Sequence, residues 1–365
     1  MKESNKILFT ATVDSHILQF HIPYLKWFKD HGYEVHVATN GNAEIPYTDK
    51  KHIISFERNP FRINNLKAIA QLKKIIKQEQ FRLIHCHTPM GSIVTRLASI
   101  KARKEYGTKV IYTAHGFHFF KGAPIRNWLM FYPIEKIMSK FTDCIITINQ
   151  EDYNLAKDKF LCKNIKFVQG VGVDKSKFNF IMTEDEKDKL RKEIGIDKND
   201  FVIIYPAELS KRKNQMMLLD IMRDLKDEGY YNIKLLLPGL DSMNGRYQKY
   251  AIKLEIEKFV KFLGYRNDIP RLMKISNLAV SVAKQEGLPV NLIEAMMSNL
   301  PIVATKCRGN RDLIDDCVDM NNKQLFEEKI IENIKNNPTR NYNKDKYELK
   351  NVMREMKKIY IEMLS

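Results

Sequence analysis

Two successive series of short, continuously apolar segments, each alternating with amphipathic helical stretches, restrict the fold of this chain more than any other feature. The first series is Lys6–Val13, Glu34–Thr39, Leu83–Thr88, Lys109–His115, Cys144–Asn149 and Ile165–Val171, with helical patterns such as Ile17–Gly32 and Asn64–Gln78 between them. A strand buried on both faces reads as one unbroken apolar run, and amphipathic crossovers between such strands make a parallel sheet covered by helices. The alternation restarts with Phe201–Ala207, Ile233–Pro238, Val260–Tyr265, Leu278–Ala283 and Pro301–Lys306. Between the two series lie Gly170 and Gly172, which read as a hinge, and a charged helix around Thr183–Lys192. The expected architecture is α/β, with two Rossmann-like, doubly wound domains over residues 1–173 and 174–344. A last helical stretch over about 345–365 is expected to pack back on the first domain. A length of 365 residues suits two domains.

Composition narrows the function classes. Lys plus Arg number 61 against 44 Asp plus Glu, a net charge of +17, which suits anionic partners such as nucleic acid, phosphorylated small molecules or an acidic membrane surface. The lysines are spread over many helix faces, with no basic helix interleaved with aromatics, so a nucleic-acid partner is not expected. Apolar runs are strand-sized, far short of the roughly 20 residues of a membrane span. The polar start, Met1 to Lys6, has no signal-peptide pattern, so a cytoplasmic protein is expected. Cys86, Cys144, Cys162, Cys307 and Cys317 form no CxxC pair and read as reduced packing residues.

The segment Ser281-Val-Ala-Lys-Gln-Glu286-Gly-Leu-Pro-Val-Asn-Leu-Ile-Glu294 follows a strand and opens a helix. Gly287 frees the turn, and Pro289 suits a first helical turn, where a missing N–H costs nothing. The exposed amides and positive dipole end of such a helix make an anion site. A carboxylate within that site is placed to accept hydrogen bonds from ribose hydroxyls, as acidic residues do in dinucleotide folds.

With its two glutamates eight residues apart, this motif resembles the signature of the family 4 retaining glycosyltransferases, whose fold is GT-B: two Rossmann-like domains facing across a cleft. The likeness covers nearly the whole chain. Phe262-Leu-Gly-Tyr-Arg-Asn-Asp268, Pro301-Ile-Val-Ala-Thr305 and Arg308-Gly-Asn-Arg-Asp-Leu-Ile314 stand in the family's order. The N-terminal half is similar to the bacterial capsular and exopolysaccharide glycosyltransferases through Phe20-His-Ile-Pro-Tyr-Leu-Lys-Trp-Phe28, His85-Cys-His-Thr-Pro89, Tyr112-Thr-Ala-His-Gly-Phe-His118, Lys121-Gly-Ala-Pro124 and Gln169-Gly-Val-Gly-Val-Asp174.

The resemblance implies transfer of a sugar from a nucleotide-sugar, UDP being the family's commonest carrier, to a polyprenyl-diphosphate-linked or saccharide acceptor. On that mapping Glu294 binds ribose, Glu286 contacts the sugar, and Gly287 and Leu288 offer backbone amides. Lys213 matches the family's diphosphate-binding lysine. Glu208 stands where the family has arginine, so Arg212 or Lys211 is expected to supply the second cation. Tyr265 and Arg266 match the position near the nucleobase. His115 matches the histidine facing the transferred sugar, and it joins Glu286 as an expected catalytic residue. Asp14, His16, His87 and His118 are expected on the acceptor side. The first loop, Thr10-Ala-Thr-Val-Asp14-Ser15-His16, lacks the family's glycines.

His85, His87, His115 and His118 also raise a metal reading, since imidazoles sharing a strand face can chelate. No Asp or Glu joins them at ligand spacing, and the family is metal-independent, so neither a metal nor another cofactor is expected. The aromatic and basic stretch from Phe117 to Tyr132 suits either a lipid interface or an ordinary helix face. Two alternatives remain: a GT-B nucleotide-sugar epimerase, or a degenerate non-catalytic relative, the latter because the chain after Asp316 is shortened against the family pattern.

Overall fold

The computed structural model describes residues 4–336, 338 and 340–365. The chain divides into two compact units, one running to Val171 and taking in Lys350–Ser365, the other Gly172–Leu349. In the first, the described strands are β1 (Lys6–Val13), β2 (Glu34–Asn40), β3 (Lys50–Ile53), β4 (Leu83–His87), β5 (Lys109–Ala114), β6 (Cys144–Thr147) and β7 (Ile165–Phe167). They lie in the order β3-β2-β1-β4-β5-β6-β7, every pair parallel.

Side chains alternate across β1. Ile7, Phe9 and Ala11 join Trp27 and Phe28 on one face, while Leu8 joins Ala68, Leu72, Val94 and Ala98 on the other. Both faces are dry, which is why the strands carry no polar alternation. The helix Leu349–Leu364 sets Val352, Met356, Ile359 and Tyr360 into the Phe9 face. Each such side chain contributes about 1.5–3 kcal/mol of transfer free energy.

Two local features depart from the sequence reading. β3, Lys-Lys-His-Ile, pairs only with β2 at the sheet edge, so it has no need of the apolar run that marks the central strands. The stretch Ile17–Gly32 is two helices, Asp14–Phe20 and Ile22–Asp30, meeting at His21. Pro23 stands in the first turn of the second helix, where it has no N–H to continue the hydrogen-bond ladder of the first.

In the second unit β8 (Phe201–Ile204), β9 (Ile233–Pro238), β10 (Val260–Gly264), β11 (Leu278–Ser281) and β12 (Ile302–Ala304) run in the order β10-β9-β8-β11-β12, again all parallel. Ile203, Leu235, Leu237 and Val280 pack against Leu218, Ile221 and Met222 of the helix Gln215–Asp227. The charged helix Glu184–Glu193 buries little besides Leu190; a reciprocal capping box between Thr183 and Glu186 secures its start. Beyond β12 a one-residue parallel bridge joins Thr305 to Val318. Each sheet is doubly wound, and strand order reverses at β1/β4 in one unit and at β8/β11 in the other.

The buried Tyr360 hydroxyl meets His85 Nδ1 at 2.8 Å, tying the last helix to β4. Tyr360→Phe is expected to lower stability by about 1–3 kcal/mol, because a buried ring nitrogen loses its partner. Lys358→Ala on the exposed face should change it by less than about 0.5 kcal/mol. Urea unfolding followed by circular dichroism measures both.

Candidate active site

The reversal at β8/β11 gathers the polar groups of the second unit. Open parallel sheets bind ligands in the crevice at such a point, beyond the carboxyl ends of the strands. The loop after β8 carries Arg212 and Lys213, and the loop after β11 carries Glu286. Glu286 is buried at 6 % exposure, and its carboxylate accepts from Lys213 Nζ at 2.5 Å and from Arg212 Nη1 at 3.2 Å. Arg212 also donates to the Gln285 carbonyl at 3.0 Å, which orients the guanidinium along the loop. Glu208, at the position where the resemblance places an arginine, accepts instead from the Ser242 hydroxyl. Arg212 is therefore the cation that neighbours Lys213 at this carboxylate.

The Glu286–Pro289 turn is held from beneath. Arg308 Nε donates to the Glu286 carbonyl at 3.1 Å, and Asn310 Nδ2 donates to the Thr305 carbonyl at 2.9 Å. Gly309 admits this packing: a Cβ there would lie 2.5 Å from the Gly287 carbonyl oxygen. Leu288 is buried and half-buried Gly287 precedes it, so the turn passes directly into the helix Val290–Met297, whose N-cap residue, Pro289, makes no side-chain cap while Asn291 Oδ1 accepts from the Leu292 amide at 3.0 Å. Glu294, on that helix, is half-buried; desolvation pushes its carboxyl up to about 7 against a smaller opposing pull from Lys177.

Tyr265 is 74 % exposed at the end of β10, whereas the Arg266 guanidinium is already forked onto Asp268, at 2.7 and 2.5 Å. Gly239 fits tightly after β9: a Cβ there would sit 1.9 Å from the Ala207 carbonyl oxygen.

In the first unit the reversal at β1/β4 adjoins a 460 Å³ cavity whose polar edge includes Thr12, His16 and Thr88 and whose walls include Met90, Phe117 and Phe131. His115, just past β5, turns Nε2 toward His16 Nε2 at 3.2 Å. Desolvation takes His115 down to about 4, so the ring is neutral at physiological pH. His87, at the end of β4, is fully buried.

Asp14 has other work: it accepts from Thr39 Oγ1 at 2.5 Å, from the Ala43 amide at 2.8 Å and from Lys51 Nζ at 2.9 Å, tying β1 to β2 and β3. Desolvation opposes the charge, but these donors hold the carboxyl below its usual range. His118 is exposed and packs on Phe131, apart from the other histidines. His85 is satisfied on both nitrogens, by Tyr360 and Thr113. The quartet suggested by sequence, His85, His87, His115 and His118, is thus replaced by His16, His21, His87 and His115, each bringing one ring nitrogen within 4.8 Å of the others. His21 carried no signal of its own; the signal was Pro23, which breaks the helix beside it.

The model of the Glycosyl transferases group 1 family matches residues 186–348, and that of the Glycosyl transferase 4-like family matches residues 6–149. The putative glycosyltransferase EpsD of Bacillus subtilis (strain 168) is 44% identical over 314 residues, which cover 86% of this chain and 82% of EpsD. The chain belongs to the family 4 glycosyltransferases. A second relative of this glycosyltransferase, the UDP-Gal:alpha-D-GlcNAc-diphosphoundecaprenol alpha-1,3-galactosyltransferase of Escherichia coli, is 26% identical over 265 residues, 70% of this chain and 66% of its own. Among solved structures, Anabaena HepE in complex with UDP and glucose superposes with a TM-score of 0.78 at 19% identity, covering 98% of this chain and 99% of HepE. That likeness carries the GT-B fold.

The buried Glu286 carboxylate should make the glycosyltransferase's cation-bearing loop after β8 and its loop after β11 energetically dependent on each other. A double-mutant cycle between Lys213→Ala and Glu286→Gln, read by thermal and urea unfolding, is expected to return a coupling of about 0.5–3 kcal/mol. Additive losses would mean that the two side chains do not share an interaction.

Proposed function

We propose that this glycosyltransferase is a retaining hexosyltransferase that takes a sugar from a UDP-linked donor and passes it to a polyprenyl-diphosphate-linked or saccharide acceptor in capsule or exopolysaccharide synthesis. One observation carries the donor half of this reading: Lys213 and Arg212 are assembled around a single anion, the Glu286 carboxylate that precedes the helix Val290–Met297, at the β8/β11 reversal. A diphosphate brought there competes with the Glu286 carboxylate for the same cations through charge-assisted hydrogen bonds. Glu286, relieved of part of that pairing, is then free to hold a sugar hydroxyl. Glu294, eight residues on, takes the ribose hydroxyls; Gly287 and Leu288 offer amides to the diphosphate; Tyr265 and the backbone at Arg266 border the base.

In the transfer, the bond from the anomeric carbon to the diphosphate oxygen breaks as the acceptor oxygen bonds to the same carbon on the same face. The acceptor proton passes to the departing phosphate oxygen, and the cations with the helix amides stabilise the charge that grows on it. Glu286 is engaged by two cations, which suits electrostatic and positioning work better than nucleophilic attack. His115 is assigned to the transferred sugar. His16 and the polar edge of the 460 Å³ cavity are assigned to the acceptor, and the cavity's apolar walls suit a lipid-linked one.

Among the described residues no helix is long and apolar enough to cross a membrane. The helix Ile125–Ser139 exposes Ile125, Leu129 and Ile137 beside Arg126 and Lys136, while Trp128, Phe131 and Tyr132 turn toward the core. This division suits a helix lying on an anionic lipid surface.

Lys213→Ala and Glu294→Ala are each expected to lower transfer by at least about a hundredfold while circular dichroism stays that of the parent; near-normal turnover in both would refute the site assignment. The same assay without acceptor separates a transferase from an epimerase, which would form product alone. Flotation with vesicles containing anionic lipid should carry the protein upward at low salt and leave it behind at high salt, and Leu129→Glu should weaken the binding. Absence of salt-sensitive binding would count against the membrane assignment.

A further inference from the structure

We propose that His16, His21, His87 and His115 form a binding site for one divalent metal ion of the zinc class, at the β1/β4 reversal of the first unit. The inference goes beyond the transfer reaction and does not rest on it. Its starting point is an unpaid debt of hydrogen bonds. His21 and His87 are 3 % and 0 % exposed, and among the described residues neither nitrogen of either ring meets a hydrogen-bond partner. An imidazole carries a donor and an acceptor, and leaving buried polar groups unmatched costs roughly 1–3 kcal/mol each. His85, buried beside them, shows the usual solution, with both nitrogens matched at 2.8 Å. Among the described residues His21 and His87 find no such solution, and both face the other two histidines.

The geometry is that of ligands around one centre. Metal–nitrogen distances of about 2.0–2.1 Å at a tetrahedral ion place the donor nitrogens about 3.3 Å apart. His16 Nε2 and His115 Nε2 stand at 3.2 Å, and one nitrogen from each of the four rings lies within 4.8 Å of the rest. Centroid separations of the His16 ring from His21, His87 and His115 are 5.2, 5.7 and 4.6 Å, and His115 lies 6.0 and 5.8 Å from His21 and His87. His21 and His87 stack at 3.7 Å, so closing on an ion requires these two rings to fan apart.

An all-imidazole set favours zinc and its borderline neighbours over magnesium or calcium, which take oxygen ligands. The ligands come from the loop-side ends of β4 and β5, from the first half of the broken helix that follows β1 and from the joint at His21. A bound ion therefore pins the His21 joint to the sheet. The sugar-facing role assigned to His115 then falls to its other nitrogen.

The second histidine group, His36, His52 and Glu79, serves as a control. Glu79 is already held by Lys6 and Lys50, and His36 by Glu34 and His52. The untagged protein, stripped with chelator, is titrated with zinc and with cobalt. We expect one equivalent bound, a rise in melting temperature, and a cobalt visible spectrum of tetrahedral intensity. His16→Gln and His115→Gln, both at half-exposed positions, should weaken binding at least tenfold without changing the circular dichroism, while His52→Gln binds as the parent does. Folded protein that takes up no ion would overturn the proposal, pointing instead to a buried water as the histidines' partner. So would uptake that His52→Gln abolishes or that the His16 and His115 variants leave unchanged. UDP binding, measured on the same samples, keeps this result separable from the donor assignment.

Discussion

Parallel pairing is the constraint from which the rest follows. Every strand of such a sheet delivers its carboxyl end to the same edge, and where the strand order reverses, adjacent loops leave to opposite sides and open a crevice. In this chain the reversals fall at β1/β4 and β8/β11. The histidines and the apolar cavity occupy the first, and Arg212, Lys213 and Glu286 the second. The dry packing on both faces of each sheet, from Phe9 and Leu8 in one unit to Leu235 and Val280 in the other, holds those loops in place.

The two crevices differ in their electrostatics. In the second unit a buried carboxylate is met by two cations, an arrangement already organised around negative charge, with Arg308 holding the turn below it. The crevice of the first unit holds a cluster of imidazoles, and among the described residues those of His21 and His87 meet no hydrogen-bond partner.

Central strands were legible because burial on both faces forces an unbroken apolar run, and the Glu286–Glu294 motif was legible because a strand, a glycine turn and a helix start must follow in that order. The edge strand β3 escaped notice because a strand with one neighbour tolerates Lys-Lys-His. The helix break at His21 rests on one proline, whose effect competes with a strong surrounding helical pattern. Asp14 and Arg266 could be placed near their loops by pattern, but their pairing with Thr39, Lys51 and Asp268 depends on side-chain geometry that spacing does not carry. Arg308 lay in a recognised motif, yet its hydrogen bond to the Glu286 carbonyl required the fold to bring two loops together.

The central claim is that the second unit holds an activated sugar by its diphosphate. Calorimetric titration of the purified protein with UDP, GDP and their sugar conjugates tests it without knowledge of the acceptor. Saturable binding of a nucleoside diphosphate, weakened by added salt, is the predicted result. A folded protein with no affinity for any of these ligands would contradict it.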